Sequence, residues 1–174
     1  MYDDRVERSA ELRVPTLAVP VRVALIGQRA TEVELFIHDI PRAAHSQVLD
    51  DVAALLDEHE SFVPIRNAGD VRLLGKLAVQ WIAVHRKSEL ADDDSSEVLE
   101  LYDRQHHVEV EMIAGQKLSG TLLDSAPADR PRVVDHLNQT GQFVRLWTAD
   151  EHYLINKAQI LQVTELPEQG QGAE

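Results

Sequence analysis

Cysteine is absent from the 174 residues. That excludes a disulfide framework, a thiolate metal site and a cysteine nucleophile. Apolar runs stop well short of the roughly 18 residues a membrane-crossing helix needs. The opening stretch, MYDDRVERSAELR, is charged and has no apolar segment of the signal-peptide kind. Together these predict a cytoplasmic chain with no membrane partner. Aromatic residues make up only 5%, so a core must be mostly aliphatic. Basic residues are also scarce, 17 against 30 acidic ones, for a net charge of -13. The deficit is uneven: residues 1–87 carry a net -2 and residues 88–174 a net -11. Nucleic-acid binding takes most of its affinity from neutralised phosphates. The second half has no basic cluster beyond Arg130 and Arg132, so the charge disfavours nucleic acid and anionic membrane alike. What is there is ordinary globular material, 44% apolar and 27% charged, enough for one domain or two small ones.

Motifs that carry chemistry are also missing. Eight histidines, at 38, 45, 59, 85, 106, 107, 136 and 152, form no HExxH or HxxxH arrangement. His106 and His107 are adjacent, so on a strand they point to opposite faces. Asp92–Glu97, DDDSSE, resembles the start of a calcium loop but has Glu97 where the loop needs Gly. Gly115–Gly120, GQKLSG, lacks the spacing of a nucleophile elbow, and Thr121 stands where a phosphate loop needs Lys. The RxxxR and [DN]xSxxG motifs of PilZ-type barrels are absent as well. No catalytic residue, metal ligand or cofactor is expected.

The strongest positive signal is an internal repeat. Phe62–Ile82, FVPIRNAGDVRLLGKLAVQWI, aligns without gaps on Phe143–Val163, FVRLWTADEHYLINKAQILQV. Phe62 meets Phe143, Leu73 meets Leu154, and Lys76 meets Lys157. Upstream, Val21–Phe36 lies over Val108–Leu123, at an offset six residues larger. Each copy reads as a strand of alternating apolar residues (Val21, Val23, Leu25; Val108, Val110, Met112), a Gly turn and a second strand (Thr31–Ile37; Leu118–Leu122). A helix follows, Ser46–Glu60 in the first copy with Ser46 as N-cap, and a single turn near Arg132–Asn138 in the second. Three short strands close each copy: Phe62–Ile65, Val71–Leu74 and Ala78–Val84, then Phe143–Trp147, Tyr153–Asn156 and Gln159–Thr164. The predicted fold class is mainly β with short helices (α+β), as two small five-stranded antiparallel barrels of Sm-like or SH3-like type related by duplication. The first spans 1–87 with a helix inserted near 46–60. An acidic linker takes 88–105, the second barrel 106–166, and a disordered tail 167–174.

VEVEMIAGQKLSGTLLD resembles the first motif of the Sm-like family: a strand, a Gly turn and a Gly-containing strand ending in Asp. YLINKAQILQV resembles its second, a strand, a two-residue turn and a last strand. Asp135–Asn138, Phe143–Leu146 and Ile155–Val163 also match the DxLN…FxxL…INKxxIxxV pattern of an uncharacterised bacterial family. The Sm-like resemblance implies RNA contacts at an Asp-x-x-Asn stretch and at a pair between the last strands. Here these fall on Asp135 and Asn138, on Asn156-Lys157, and on Lys76 in the first copy. The family's Arg-Gly or Lys-His pair is replaced by Asn156-Lys157, and its helix precedes the first strand rather than following the second.

The expectation is therefore a non-catalytic interaction or regulatory module. It binds protein partners or copies of itself by strand-edge pairing or an apolar patch, with Trp147 beside Arg145 as a candidate recognition residue. The alternative is an Sm-like RNA-binding protein using Lys76, Lys157, Asp135 and Asn138.

Overall fold

The computed structural model describes residues 16–38, 48–85, 104–124, 132–139 and 141–167. Among the described residues, ten strands form: β1 Thr16–Leu25, β2 Thr31–His38, β3 Phe62–Asn67, β4 Asp70–Gly75 and β5 Val79–His85, then β6 Arg104–Met112, β7 Lys117–Asp124, β8 Phe143–Trp147, β9 Glu151–Asn156 and β10 Ile160–Glu165. Helix α1, Val48–Asp57, follows β2, and the five-residue α2, Val133–Leu137, follows β7. Short 3-10 turns at Lys76–Ala78 and Lys157–Gln159 precede β5 and β10. The chain is thus mainly β with few short helices. The proposed N-cap Ser46, the linker up to residue 103 and the tail beyond Pro167 lie outside the described residues, while Arg104 and Gln105 are already strand.

Side-chain alternation explains the strands. Val19, Val21 and Val23 in β1 and Val33, Leu35 and Ile37 in β2 are buried on one face, with more accessible residues between them. Two prolines sit where a missing N–H costs no ladder bond. Pro20 lies beyond the stretch of β1 that pairs with β5, and the β2–β3 ladder stops at Ile65, short of Pro64. The β3–β4 hairpin turns through Ala68 and Gly69, both at positive φ (50° and 87°), the geometry that matches strand twist in a two-residue loop.

The sequence predicts two five-stranded barrels. Among the described residues, the ladders of the two sets of strands are continuous through a β5–β9 pair, as one open antiparallel sheet in the order β10-β6-β7-β8-β9-β5-β1-β2-β3-β4. The reason lies in β5 and β9 themselves. Six residues of β5, Val79–Val84, and all six of β9 are buried, so both faces of each strand need cover that one small barrel cannot supply.

The registers of the two halves correspond. Val21 pairs with Val33 and Val108 with Gly120; Glu34 pairs with Arg66 and Thr121 with Trp147; Val63 pairs with Leu74 and Val144 with Ile155. Even the register shifts coincide, at Ala24/Leu25 against β5 and at Ile160/Gln162 against β6. Two cores result. One gathers the inner faces of β1–β5 with α1 and also takes in Leu123, Phe143, Trp147 and Leu154. The other holds the inner faces of β6–β9 with Ala24, Trp81 and Ala83 of the first half.

At Gly120, β7 lies close against the backbone of β8. A Cβ there would lie 2.5 Å from the Trp147 carbonyl oxygen and 2.9 Å from Leu146 Cγ. Gly120→Ala is expected to destabilise the fold by about 1–3 kcal/mol, because backbone has to give way. Gly75→Ala meets only the Phe62 ring, at 3.3 Å, and that ring is exposed. Thermal denaturation of the two variants checks the contrast: a lowered midpoint for the first, little change for the second.

Candidate functional site

The densest chemistry lies on the seam between the halves, where β1, β5 and β9 run side by side. In register, Arg22 pairs with Ala83 and Ala83 with Tyr153, so Arg22 and Tyr153 flank one small residue on one face. Arg22 donates to the Glu151 carboxylate and, at 3.2 Å, to the Tyr153 hydroxyl. Tyr153 in turn donates to Glu151 Oε2 at 2.6 Å. Glu151 is 6% exposed, and a carboxylate that buried needs its partners. The Arg22 guanidinium also stands 5.4 Å over the Trp81 ring, which meets Tyr153 edge-on at 5.3 Å. Trp81 Nε1 donates across the seam to Gln116 Oε1 at 2.9 Å. Burial and the Glu151 hydrogen bond push the Tyr153 phenol up to about 12.

Behind the seam, α1 reaches from the first half onto the second. Asp50 pairs with Arg145 of β8, and Asp57 Oδ1 accepts from the Gln142 amide at 3.2 Å. Beside these polar contacts, Phe143 and Trp147 of β8 enter the first core. The outer face of β8 and β9 is thereby covered by the first half of the chain.

The residues singled out from the sequence prove to be framework at several positions. Lys76 is 3% exposed, and its ammonium donates to the carbonyls of Leu55 and Glu58 at 2.9 and 3.0 Å. It closes the C-terminal end of α1, where unpaired carbonyls and the negative end of the dipole collect. Lys157 does the same after α2, donating to the Gln139 carbonyl at 2.8 Å. Burial pulls its pKa below the ordinary lysine range, with Asp57 acting against the shift. Asn156 is fully buried and donates from Nδ2 to the Val79 carbonyl at 2.9 Å, tying β9 to the start of β5. Trp147 is 7% exposed and lies 3.9 Å from the His152 ring. Asp135 pairs with Arg132 at 3.1 Å on α2, and Asn138 ends that helix. Lys157 thus comes beside the Asn138–Gln139 turn, whereas Lys76 serves α1. Among the described residues there is no cluster of three or more His, Asp or Glu placed to hold a metal ion, and no helix is long and apolar enough to cross a membrane.

Comparison with protein-family models, curated proteins and solved structures returned no significant match.

Nothing in the sequence pattern marks Arg22, Glu151 and Tyr153 as a group. Arg22 is a charged residue among the aliphatic residues of β1, and Glu151 is the first residue of β9. Neither shows by itself that the two meet.

Large apolar side chains are exposed in the turns, at Ile26, Leu77 and Ile113, and at the sheet edges. On β4 and neighbouring β3, Val71 (65% exposed), Leu73 (71%) and Phe62 (61%) are open. On β10, Leu161 is 60% exposed.

Two outcomes follow. Lys76→Met leaves the α1 carbonyls unsatisfied and is expected to cost about 2 kcal/mol in urea denaturation, the range for hydrogen bonds to a charged donor, and more than Lys157→Met. For Tyr153, the folded pKa of about 12 exceeds the ordinary 10.0. The unfolded phenol therefore loses its proton first, so stability is level below pH 10 and falls as pH rises from about 10 to about 12. The difference between ultraviolet titrations of wild type and Tyr153→Phe isolates this phenol, and a difference curve centred near 10 would contradict the assignment.

Proposed function

We propose that the chain is a non-catalytic cytoplasmic interaction module made of two versions of one small barrel unit, of the Sm-like type its motifs resemble, and that its mode of association is strand pairing between units. The β5–β9 seam carries this reading. It joins two sets of five strands with matching registers by the edge of one and the edge of the other. An Arg22–Glu151–Tyr153 group, with Glu151 and Tyr153 buried and Arg22 half-buried, and an Asn156–Val79 bond are specific to the join. Strand addition supplies affinity through backbone hydrogen bonds and specificity through the side chains flanking them.

The ionisable groups support a binding rather than a chemical role. Lys76, Lys157, Arg22 and Glu151 each serve a helix end or the seam. The RNA reading gains no support here, since both lysine ammonium groups donate to backbone carbonyls and the net charge is -13.

The test uses the full chain with a protease site placed between residues 91 and 96. After cleavage the two halves are expected to elute together in gel filtration at micromolar concentration. Glu151→Lys, which sets a cation against Arg22, is expected to weaken their association at least about tenfold. Halves that part immediately on cleavage in the unsubstituted protein would overturn the proposal.

A further inference from the structure

The two rims of the sheet are β4 and β10, and they are not alike. β10 carries devices that keep an edge from pairing. Its register shifts against β6 between Ile160 and Gln162, it ends in Thr164 and Glu165, and Glu111 and Glu109 stand opposite Gln162 and Thr164. β4 has no proline and no register shift against β3. Its two charges, Asp70 and Arg72, pair with each other at 3.7 Å. We infer that β4 is a docking edge for a second copy of this chain, with β4 antiparallel to β4 across a two-fold axis. This rests on the reading just given, that the chain associates by strand pairing.

The backbone of β4 is prepared for this. The Lys76 amide donates to the Ser61 carbonyl at 2.9 Å. Bonded and unbonded pairs alternate along an antiparallel ladder, so Leu74, Arg72 and Asp70 are the residues that exchange bonds with β3. The N–H and C=O groups of Val71, Leu73 and Gly75 point the other way, and among the described residues no strand meets them. The side chains at this edge are apolar and exposed. Val71 and Leu73 share the outer face with Phe62 and Pro64. The Phe62 ring lies over Gly75, within 3.3 Å of where a Cβ would stand. An open edge that is also apolar is what a monomer avoids.

Two registers use nearly the whole strand with outward backbone groups facing one another. One sets Arg72 against Arg72 of the other copy, and like charges directly opposed are unfavourable. The other centres on Leu73, which faces Leu73 of the other copy. Val71 then faces the other copy's Gly75, so each Phe62 ring, lying over its own Gly75, meets the other copy's Val71. Arg72 faces the other copy's Leu74 and keeps its pair with Asp70. Charge over longer range selects the same edge. The chain carries -13, but residues 1–87 carry only -2 and residues 88–174 carry -11. A two-fold contact through β4 brings the near-neutral halves together and leaves the acidic halves at the outer ends of the strand order. A two-fold contact through β10 would oppose the acidic halves. Because the same surface serves both copies, the contact closes at a dimer. It is confined to one strand edge and the side chains beside it, so the dissociation constant is expected on the order of 10 micromolar.

Sedimentation equilibrium of the full chain at about 0.15 M salt, from about 2 to 200 micromolar, tests this. Wild type is expected to pass from monomer to dimer and no further. Since Leu73 meets its own copy, Leu73→Asp and Leu73→Lys each set like charges together. Each variant alone is expected to dimerise at least about tenfold more weakly, and an equimolar mixture to recover dimer because opposite charges then meet. Circular dichroism checks that the substitutions, at an exposed position, leave the fold intact. Amide hydrogen exchange on wild type needs no variant: the amides of Val71, Leu73 and Gly75 are expected to gain protection as concentration rises, and those of β10 to stay unchanged. A wild type that stays monomeric, a dimer indifferent to Leu73→Asp, assembly beyond the dimer, a mixture no tighter than either variant, or β4 exchange that ignores concentration would each overturn the inference. If the protease-nicked halves hold together while whole chains stay monomeric, only this inference fails. If the nicked halves separate, the reading beneath it fails too.

Discussion

The rest of the structure depends on the pairing of β5 with β9. Both strands are enclosed on both faces, so their backbone amides and carbonyls have no recourse to water and must find one another. Once they do, the inner face of each half becomes the outer wall of the other. Ile82 and Leu154 serve the first core, and Trp81, Ala83, Tyr153 and Ile155 the second. Neither core is complete without residues from across the seam.

Polar groups at the seam follow from the same enclosure. A carboxylate as buried as Glu151 is tolerated because a guanidinium and a phenol reach it, and Arg22 is held in turn by the Trp81 face. Such groups add little net stability compared with apolar packing, but mispairing them is costly. Lys76 and Lys157 obey a parallel logic: each closes the helix inserted in its own half, and each does so from the turn that leads into the last strand of that half. The two halves thus solve a local problem in one way, although α1 has ten residues and α2 five.

Much of the framework was legible in the sequence. Alternation in Val21–Leu25 and Val108–Met112 marks strands, and the spacing of Val48, Leu49, Val52 and Leu56 marks α1, because side-chain direction repeats with a period set by local backbone geometry. The gapless match of Phe62–Ile82 on Phe143–Val163 corresponds to ladders that share a register. The site was less legible. Lys76 and Lys157 stand out by matching positions, yet a matching position does not distinguish a ligand contact from a helix cap. Arg22 and Glu151 are 129 positions apart in the chain, and no local pattern ties them.

The sequence alone determined which stretches form strands, turns and helices, since these depend on neighbours within a few residues. Tertiary structure decided that the two sets join into one sheet through β5 and β9, that the conspicuous lysines face inward to carbonyls, and that β4 and β10 are left at the rims. Those outcomes depend on which surfaces fit one another across long separations, and complementarity of that kind has no period along the chain to read.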